Sequence, residues 1–351
     1  MQQDGRAAHA GARIVVDAMG GDDAPKQVVA GAVLAARRYP DTRIFLSGLE
    51  QAIRAELDKA PPCPPNIEIL PASQTIEMHD SPVQALREKK DSSIGVGIAK
   101  IARKEADAFV SAGNTGAVMA ASTLGLGRLE GVQRPGIAVP IMALDHLVVV
   151  IDCGANPHCK PSHLVQYGIM AAEFTQDAWE VKNPRVGLLN VGEEAGKGTD
   201  TQKEAHDLMK HAGINFVGNV EPKSIFSGEC DIIVCDGFVG NILLKTCESL
   251  GMKLLNHLRA EIKRKFLRKV GYVLCKGAFR TLQHCTDYSE YGGAPLLGVD
   301  GAIIISHGRS DAKAIESAIR EARSFVGRGV NQKIADAIRK MPLTNNKNHM
   351  P

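Results

Sequence analysis

The sequence predicts an α/β protein with a mostly parallel, doubly wound sheet. Short continuous runs of apolar and β-branched residues alternate with segments of helical periodicity along most of the chain. Continuous apolar runs, rather than alternating ones, are typical of strands that are buried on both faces. Strands that alternate with helices in this way form parallel βαβ units, so helices are expected on both faces of the sheet.

Nine strands are expected from these runs. Each run is short and is followed by glycine or polar residues, as strands of a buried sheet are. The strands are predicted at residues 13–18, 42–48, 66–70, 106–113, 146–152, 185–192, 214–219, 230–237 and 302–308.

Helices are expected between most of these strands. Residues 24–38 predict a helix that ends before Pro40. Three other helices carry start signals. These signals are a capping box at Ser81–Gln84 with proline at the first helical position, a second box at Thr199–Gln202 that opens a helix to about residue 212, and Ser310 before a helix at 311–326.

The domain organisation follows from length and composition. The chain has 351 residues, of which 44% are hydrophobic, and this is enough for a large core. Because no linker-like stretch or repeat interrupts the pattern, residues 13–341 are expected to form a single α/β domain. Residues 1–12 and 342–351 are expected to be a disordered extension and a disordered tail.

Cysteine usage and hydropathy favour a cytosolic protein. The eight cysteines are scattered, no CxxC pair occurs, and the first twelve residues lack the apolar region of a signal peptide. The most apolar stretch, residues 137–151, is interrupted by Asp145 and His146 and is too short to span a bilayer.

Positive charge is concentrated in one segment. The chain has a net charge of +3, but residues 253–280 alone carry +8, so the rest carries −5. Apolar residues recur there at steps of three and four, which predicts one apolar helix face beside a basic one. A surface or dimer helix, a helix on an anionic membrane and a docking site for an acidic protein all fit. Nucleic acid fits less well, because no binding motif accompanies the patch.

Six strands are followed by turns that are rich in glycine, asparagine or aspartate. In an open parallel sheet the carboxyl ends of the strands share an edge, where ligands bind. Glycine lets backbone N–H groups approach an anion such as phosphate, and a following helix start adds a positive dipole end. The alternative is that each glycine only serves a tight connection. The turns are residues 17–25, 111–117, 152–157, 190–200, 235–241 and 306–311.

Three polar side chains in these turns are candidates for chemistry. Lys197, between two glycines, can place a positive charge beside a phosphate or a developing oxyanion, or it is a solvated loop lysine. Asn241 can orient a carbonyl or phosphate oxygen, or cap a helix. His307 can donate to a phosphate or act as a general acid or base, although a structural histidine is the commoner case.

The residues alone give little support to metal or nucleotide chemistry. The zinc-like cluster of Cys153, His158, Cys159 and His163 matches no common spacing, and Cys153 has no evident partner base as a nucleophile. The first turn, MGGDDAP, lacks the G-x-G-x-x-G fingerprint of dinucleotide enzymes, and Walker A is absent too. We therefore expect no cofactor and no metal site.

Several long segments closely resemble the bacterial phosphate acyltransferases of phospholipid synthesis, the PlsX family. The resemblance runs from about Arg13 to about Val326 and keeps the segments in order. The most specific segments are residues 14–29, 111–119, 164–172, 184–198, 215–221, 235–246 (CDGFVGNILLKT) and 291–299 (YGGAPLLGV).

This resemblance implies a fold and a reaction. The fold is a Rossmann-like three-layer α/β/α sandwich similar to isopropylmalate dehydrogenases and phosphotransacetylases, with a protruding amphipathic helical hairpin at about 250–290. The reaction converts acyl-(acyl carrier protein) and inorganic phosphate to acyl phosphate, the first committed step toward phosphatidic acid. The resemblance further implies a homodimer, peripherally bound to the inner face of the cell membrane, whose product passes to a membrane glycerol-3-phosphate acyltransferase.

The resemblance also assigns residues. Lys197 and Asn241 match residues thought catalytic in the family. We assign Lys197 to the charge of the oxyanion or phosphate and Asn241 to orientation of the substrate. Independently of the resemblance, the polar turns predict substrate binding at Asp17, Gly20, Gly21, Asp22, Asn114, Thr115, Gly116, Asn156 and His307. The hairpin residues expected to contact the membrane or the acidic carrier are Arg259, Lys263, Lys265, Phe266, Arg268 and Lys269.

Two other classes of function compete with this interpretation. One is an NAD-dependent dehydrogenase on the same fold, and a test of NAD binding would distinguish it from a phosphate acyltransferase. The other is a non-catalytic scaffold on the membrane surface, which would bind lipid without phosphate-dependent turnover.

Overall fold

Eleven strands form one mixed sheet in the computed structural model, which describes residues 11–143, 146–277, 279 and 292–341. The strands are β1 Arg13–Asp17, β2 Arg43–Gly48, β3 Ile67–Pro71, β4 Ala108–Ser111, β5 Gly136–Ala143, β6 His146–Ile151, β7 Arg185–Leu189, β8 Asn215–Val220, β9 Ile232–Val234, β10 Ala294–Leu297 and β11 Ala302–Ile305.

Helices connect most of the strands. They are α1 Lys26–Arg38, α2 Glu50–Leu57, α3 Pro82–Glu88, α4 Ser93–Ala102, α5 Thr115–Leu126, α6 Pro161–Trp179, α7 Asp200–Met209, α8 Gly237–Lys263, α9 Phe266–Leu274, α10 Ala312–Arg328 and α11 Val330–Lys340. A short 3₁₀ turn spans Pro222–Ile225.

All nine predicted strands are present, but two further strands were not predicted. These are β5 and β10, and both run antiparallel to their neighbours. β10 has only four residues, and β5 contains Pro140, which is unusual inside a sheet. The prediction of a mostly parallel sheet is therefore confirmed, with an antiparallel centre that it did not include.

The antiparallel centre divides the sheet into two parallel blocks. The strand order is β3-β2-β1-β4-β11-β10-β5-β6-β9-β7-β8. The first five strands are parallel to one another, as are the last four. Because β10 and β5 each reverse direction against both neighbours, the two blocks run in opposite directions. The prediction that all carboxyl ends share one edge is therefore wrong.

A stagger between the blocks brings their carboxyl ends together nevertheless. Ala294 of β10 pairs with Ile305, the last residue of β11. The register of β10 on β5 places Ala294 level with Val139, which pairs with Val150, the last residue but one of β6. The strands of both blocks thus end at nearly the same level, and the turns that follow them meet over β10 and β5.

Two layers of helices cover the sheet. Neighbouring strand residues such as Val15 and Val16 point to opposite faces and belong to two separate buried clusters. Helices α1, α2, α6, α7, α10 and α11 contribute to one cluster, and α3, α4, α5 and α8 contribute to the other. This arrangement is the expected three-layer α/β/α sandwich.

The predicted capping boxes have different outcomes. At α7 the box is present, and the N–H of Thr199 donates to Oε1 of Gln202 at 3.2 Å. At α3 proline occupies the first turn as predicted, but Ser81 makes no side-chain cap hydrogen bond. Gln84 instead donates to Glu88, one turn further along the helix, at 2.9 Å.

The cap of α10 is Asp311 and not Ser310. Oδ1 of Asp311 accepts a hydrogen bond from the N–H of Ala314 at 2.8 Å. The N–H of Ser310 donates to the carbonyl of His307 at 2.9 Å, so Ser310 belongs to the preceding turn.

The basic segment forms two helices within the described residues. The predicted continuous helix face is broken because Lys265 is extended between α8 and α9. In α8 only Gly237 and Gly240 are buried, so most of this 27-residue helix protrudes from the sandwich. Residues 278 and 280–291, in the second half of the predicted hairpin, lie outside the described residues.

Most of the predicted extension and tail lies outside the described part of the chain, namely residues 1–10 and 342–351. Ala12 is buried, and its carbonyl accepts a hydrogen bond from the N–H of Arg43 at 2.9 Å.

Among the described helices, none combines the length and the hydropathy needed to cross a bilayer.

We expect Gly240→Ala to loosen the attachment of α8, because a β-carbon at this position would overlap the carbonyl oxygen of Asp152. Overpacking of this kind should lower the free energy of unfolding by about 3 kcal/mol. The matched control is Gly271→Ala in α9, where a β-carbon meets nothing within 4 Å and helix propensity favours alanine. Urea unfolding followed by circular dichroism measures both, and equal midpoints for the two variants would contradict the expectation.

Candidate active site

A cavity of about 470 Å³ opens where the turns of the two blocks meet. Five of the six predicted turns contribute to its lining, and the turn at 190–200 does not. The lining includes the polar and charged side chains of Asp22, Thr115, Asn241, Lys245, Glu248, His307 and Arg309.

Apolar residues line the same cavity. They include Ile137, Val139 and Pro140 of β5, Ala294 of β10, Ile305 of β11 and Leu244 of α8. The two strands missed in the sequence, β5 and β10, therefore supply part of the apolar lining. A cavity with both kinds of lining can hold a ligand that has a charged group and a hydrocarbon.

A buried carboxylate holds the first turn in place. Asp17, at the end of β1, is only 2% exposed. Its Oδ2 accepts a hydrogen bond from Oγ of Ser111 at 2.7 Å, and its Oδ1 accepts from the N–H of Met19 at 3.2 Å. Burial raises the pKa of Asp17, while hydrogen bonds from Ser111, Ser93 and Met19 oppose that rise. Asp17 thus ties the ends of β1 and β4 together.

The glycines of this turn allow neighbouring turns to touch. A β-carbon on Gly20 would lie 2.6 Å from the backbone nitrogen of Gly113. Gly21 has a φ of +115° and lies against Gly308, whose carbonyl accepts a hydrogen bond from the N–H of Asp22 at 2.7 Å. The first turn is therefore closed against the turns at 111–117 and 306–311, and only Asp22 of the four predicted residues lines the cavity.

Asn114 fastens another loop to the start of α5. Its Oδ1 accepts from the N–H of Ala117 at 3.0 Å, which caps the helix. Its Nδ2 donates to the carbonyls of Glu77, Met78 and Asp80 at 3.1–3.2 Å. The next residue, Thr115, lines the cavity, whereas a β-carbon on Gly116 would meet Pro82.

A second buried carboxylate plays the same part in the other block. Asp152 has no exposed surface, and it accepts hydrogen bonds from the N–H groups of Ile137 at 3.1 Å, Ala155 at 3.0 Å and Asn156 at 2.7 Å. Burial raises the pKa of Asp152, and these N–H groups oppose the rise. Asn156 donates through Nδ2 to the carbonyl of Pro135 at 2.6 Å and to Asp152 at 3.1 Å.

The start of α8 rests on this second turn. Asp236 caps the helix through the N–H of Val239 at 2.9 Å, and the N–H of Gly237 donates to the carbonyl of Asn156 at 2.8 Å. Asn241 follows one turn later and lines the cavity beside Gly154. The predicted role of Asn241 as a cap belongs instead to Asp236.

Two charged residues follow Asn241 on the same face of α8. Nζ of Lys245 lies 2.9 Å from Oε2 of Glu248 and 3.1 Å from Nε2 of His307. Nδ1 of His307 accepts a hydrogen bond from the N–H of Arg309 at 3.1 Å. Burial and the positive charge of Lys245 both lower the pKa of His307.

Lys197 lies away from these groups. Its backbone is held by Nδ2 of Asn190, which donates to the Lys197 carbonyl at 3.0 Å, and its side chain is exposed. The loop follows β7, which is three strand positions from β5, a lateral distance of about 14 Å. The structure does not bring Lys197 into the lining of the cavity with Asn241 and His307.

The cysteine–histidine cluster does not converge on a common point. The Cys153 thiol donates to the carbonyl of Val150 at 3.4 Å, and Nδ1 of His163 accepts from the N–H of Lys160 at 3.1 Å. Cys159 lies 3.8 Å from the Tyr167 hydroxyl, and burial raises the pKa of Cys159 to about 11. Among the described residues, no three histidine, cysteine, aspartate or glutamate side chains are grouped for a metal ion.

The sequence prediction missed Lys245, Glu248 and Arg309. Helical spacing was sufficient to find the first two, because residues four and seven positions after Asn241 lie on its face of α8. Arg309 belongs to a predicted turn and follows His307 by two residues.

Comparisons with known proteins agree on one family. The model of a family described as fatty acid synthesis protein matches residues 12–333. A phosphate acyltransferase of Halothermothrix orenii is 44% identical over 330 residues, which cover 93% of this chain and 99% of the relative. A phosphate acyltransferase of Geotalea uraniireducens is 46% identical over 326 residues, which cover 93% and 94% of the two chains.

Solved structures with a similar fold have low sequence identity. A phosphotransacetylase from Streptococcus pyogenes is 15% identical, covers 94% of each chain and has a TM-score of 0.59. The EutD phosphotransacetylase from Staphylococcus aureus is 14% identical, covers 93% of this chain and 94% of its own, and has a TM-score of 0.58. A putative 4-hydroxythreonine-4-phosphate dehydrogenase from Salmonella typhimurium is 13% identical, covers 90% and 99%, and has a TM-score of 0.53. These likenesses establish the fold alone.

We expect Cys153 to resist alkylation although it lines the cavity. Burial raises the pKa of its thiol well above the usual range, so almost no thiolate is present at pH 8. Cys63 is exposed and is the matched comparison. Iodoacetamide labelling of the folded protein, followed by peptide mass spectrometry, should modify Cys63 first. Equal labelling of both cysteines before unfolding in urea would contradict this prediction and restore Cys153 as a possible nucleophile.

Proposed function

The chain belongs to the phosphate acyltransferase family, and we propose that it transfers a fatty acyl group from acyl carrier protein to inorganic phosphate. The products are acyl phosphate and the free carrier thiol. The enzyme is thereby an acyltransferase of lipid synthesis, and the step is the first one committed to phosphatidic acid.

The lining of the cavity is the observation that supports this reaction at this site. The cavity is lined both by polar groups, including Thr115 at the start of α5, and by apolar residues of β5, β10 and α8. An acyl thioester and a phosphate need these two kinds of environment in one site. The positive end of a helix dipole favours the anion, and the apolar residues favour the hydrocarbon beside the thioester.

The chemistry requires positioning rather than a nucleophilic side chain. An oxygen of phosphate forms a bond to the thioester carbonyl carbon, and the tetrahedral intermediate that results carries a negative charge on the former carbonyl oxygen. Its collapse breaks the carbon–sulfur bond, and the carrier leaves as a thiolate. The thiolate becomes the free thiol by taking up a proton, which balances the proton that hydrogen phosphate gives up. Holding the reactants in contact and stabilising the oxyanion are the two large contributions that the protein can make.

We assign roles to the predicted residues on this basis. Asn241 orients the carbonyl or phosphate from α8, and Thr115, His307 and Asp22 contact the substrates from the cavity lining. Lys197 is assigned to the oxyanion on the resemblance alone. Because the loop after β7 lies outside the cavity lining, this role requires the loop to move toward Asn241.

The remaining predicted substrate-binding residues act by shaping the turns. Asp17, Asn114 and Asn156 direct their polar atoms to groups of the protein. Gly20, Gly21 and Gly116 permit close approaches between turns. We propose that they hold the turns around the cavity in place without contacting phosphate through side chains.

A nicotinamide-linked dehydrogenase is not favoured. The dehydrogenase likeness is one of fold, at 13% identity, whereas the relatives above 40% identity are phosphate acyltransferases. The proposed reaction involves no net oxidation or reduction and requires no redox cofactor.

The protruding helices are proposed to contact the membrane and the carrier. Phe266 and Leu267 are 78% and 82% exposed, and Val273 and Leu274 add further exposed apolar surface to α9. The basic residues proposed to face anionic lipid or the acidic carrier protein are all exposed, namely Arg259, Lys263, Lys265, Arg268 and Lys269. A basic helix with an exposed apolar stripe is suited to a membrane surface.

These proposed contacts would place the protein at the membrane surface. We propose a cytoplasmic homodimer that associates peripherally with the inner face of the cell membrane. There its acyl phosphate would pass to a membrane glycerol-3-phosphate acyltransferase. The exposed apolar surface of α8, including Leu250 and Leu254, is available for the contact between two copies.

Release of carrier thiol from palmitoyl-(acyl carrier protein) tests the reaction. We expect release to depend on inorganic phosphate, and Lys197→Ala or Asn241→Ala to lower kcat by about 10²- to 10³-fold, the usual effect of losing one oxyanion donor. Lys203→Ala, on the exposed side of α7, is the control. Release without phosphate would identify a thioesterase, and near-wild-type turnover of Lys197→Ala would remove that residue from the mechanism.

Vesicle flotation tests the membrane contact. Phe266→Glu should weaken binding to vesicles that contain phosphatidylglycerol by about 10-fold or more. Transfer of a phenylalanine side chain from water into the bilayer contributes about 2 kcal/mol to the free energy of binding. Leu124→Glu makes the same change of charge at a side chain that is 74% exposed on α5, and should leave binding unchanged. Equal losses in both variants would argue against α9 as the contact. Vesicle binding without phosphate-dependent turnover would support the scaffold alternative.

A further inference from the structure

We propose that the carboxylate of Asp22 accepts a hydrogen bond from the proton of bound hydrogen phosphate, and that this contact makes the site select phosphate over sulfate. The inference rests on the proposed phosphate acyltransferase activity. It assigns Asp22 as the residue that determines specificity for the acyl acceptor.

The first turn carries Asp22 across the end of a neighbouring strand. In the sheet, β4 lies between β1 and β11. The N–H of Asp22 nevertheless donates to the carbonyl of Gly308, in the turn after β11, at 2.7 Å. Gly20 packs on the turn after β4, because a β-carbon there would lie 2.6 Å from the backbone nitrogen of Gly113. Asp22 therefore lies between the turns that follow β4 and β11.

The side chain of Asp22 is an acceptor that the protein does not use. It is exposed and lines the cavity. Among the described residues, no cation forms an ion pair with this carboxylate and no donor is hydrogen-bonded to it. The other carboxylate of the lining, Glu248, differs because its Oε2 lies 2.9 Å from Nζ of Lys245. Asp22 can therefore accept a hydrogen bond from a ligand without giving up a contact within the protein.

Groups that favour an anion line the same cavity. Arg309 follows Gly308 in the turn that holds Asp22, and Lys245 contributes a second cation from α8. Thr115 begins α5, where the positive end of the helix dipole and N–H groups without partners in the helix are found. A tetrahedral oxyanion bound to these groups lies in the space that Asp22 also lines.

A carboxylate beside a bound anion is selective because it can only accept hydrogen bonds. It repels an oxyanion that has no proton, and neither group can donate to the other. Inorganic phosphate keeps at least one proton throughout the neutral range, so one of its oxygens can donate to Asp22. Sulfate is also a tetrahedral dianion, but it has no proton at neutral pH. Asp22 therefore favours phosphate by a charge-assisted hydrogen bond and opposes sulfate by repulsion.

Two groups with phosphate chemistry reach the site in the proposed reaction. One is inorganic phosphate, and the other is the phosphodiester in the prosthetic arm of acyl carrier protein. A phosphodiester has no proton at neutral pH, so a carboxylate opposes it as it opposes sulfate. We assign Asp22 to inorganic phosphate, and the Michaelis constant for the acyl carrier tests this choice.

Competition between sulfate and phosphate in thiol release from palmitoyl-(acyl carrier protein) is the test, with the full chain. The measured quantity is the inhibition constant for sulfate divided by KM for phosphate. In wild type this ratio should be about 100 or more, because a site that pairs with a hydroxyl donor rejects an analogue that lacks it.

Asp22→Asn keeps the shape of the side chain, removes the charge and adds an amide that can donate to sulfate. This variant should lower the ratio about 10-fold or more, and should change KM for the acyl carrier less than about 3-fold. Asp22→Ser also removes the charge and should lower the ratio in the same direction. Circular dichroism establishes that each variant is folded before its ratio is compared.

Asp23→Asn is the matched control. It removes the same charge from the next residue, which is also exposed but does not belong to the lining of the cavity. Its ratio should stay within about 2-fold of wild type, because exposed charges are screened. Arsenate gives a second control, since hydrogen arsenate is a tetrahedral dianion that keeps a proton. It should compete with phosphate more strongly than sulfate does in wild type, and should lose this advantage in Asp22→Asn.

Four results would overturn the proposal. Equal ratios in wild type and Asp22→Asn would show that the carboxylate does not contact phosphate. Equal falls in Asp22→Asn and Asp23→Asn would show a long-range effect of charge. A fall in Glu248→Gln with no change in Asp22→Asn would assign the acceptor to Glu248. A changed KM for the acyl carrier alone in Asp22→Asn would place Asp22 beside the phosphodiester.

Calorimetric titration separates this proposal from the proposed activity. If wild type shows no phosphate-dependent thiol release, the proposed activity fails. Titration of wild type and Asp22→Asn with inorganic phosphate and with sulfate then measures the same preference without turnover. A preference for phosphate that is equal in the two proteins would refute the role of Asp22.

Discussion

The reversal of strand direction at β10 and β5 is the constraint on which the site depends. In a sheet with one direction, turns that follow its strands form a row along a single edge. Here two blocks run toward each other, and their last residues stop within one position of the same level. The turns consequently face one another across two short strands. Asp17 is the last residue of β1 and Asp152 directly follows β6, and both are buried. Each accepts hydrogen bonds that hold its turn in place.

The strands could be predicted far better than their directions. Nine apolar runs identify nine strands, because burial on both faces leaves a strong compositional signal. β10 has four residues with proline among them, and β5 contains Pro140, so neither has that signal. The hydrophobic periodicity of a strand does not reveal its direction in the sheet, because direction depends on how the connections between strands cross the sheet. The antiparallel centre, and with it the meeting of the turns, was therefore outside the reach of sequence patterns.

The site shows the same division between residue type and geometry. Five of the six polar turns reach the cavity, which the pattern of glycine, asparagine and aspartate predicts. Which atoms face the ligand depends on packing that the pattern does not contain. The side-chain amide of Asn114 donates to three backbone carbonyls, whereas the neighbouring Thr115 lines the cavity. The helical position of Lys245, one turn after Asn241, was readable in the sequence, but its contact with His307 joins residues 62 positions apart.

Helix α8 links the chemistry to the protein surface. Its first turn is held by Gly237 and Gly240 against the turn after β6, its second and third turns carry Asn241, Lys245 and Glu248, and the rest projects outward. At 1.5 Å per residue, Lys263 lies about 33 Å along the axis from Asn241. The basic surface is thus too far away to contact a ligand in the cavity, although one continuous helix carries residues of both. Because the cavity lining and the basic surface occupy different turns of one helix, we expect changes at the exposed end to alter the proposed membrane and carrier contacts without altering the side chains that line the cavity.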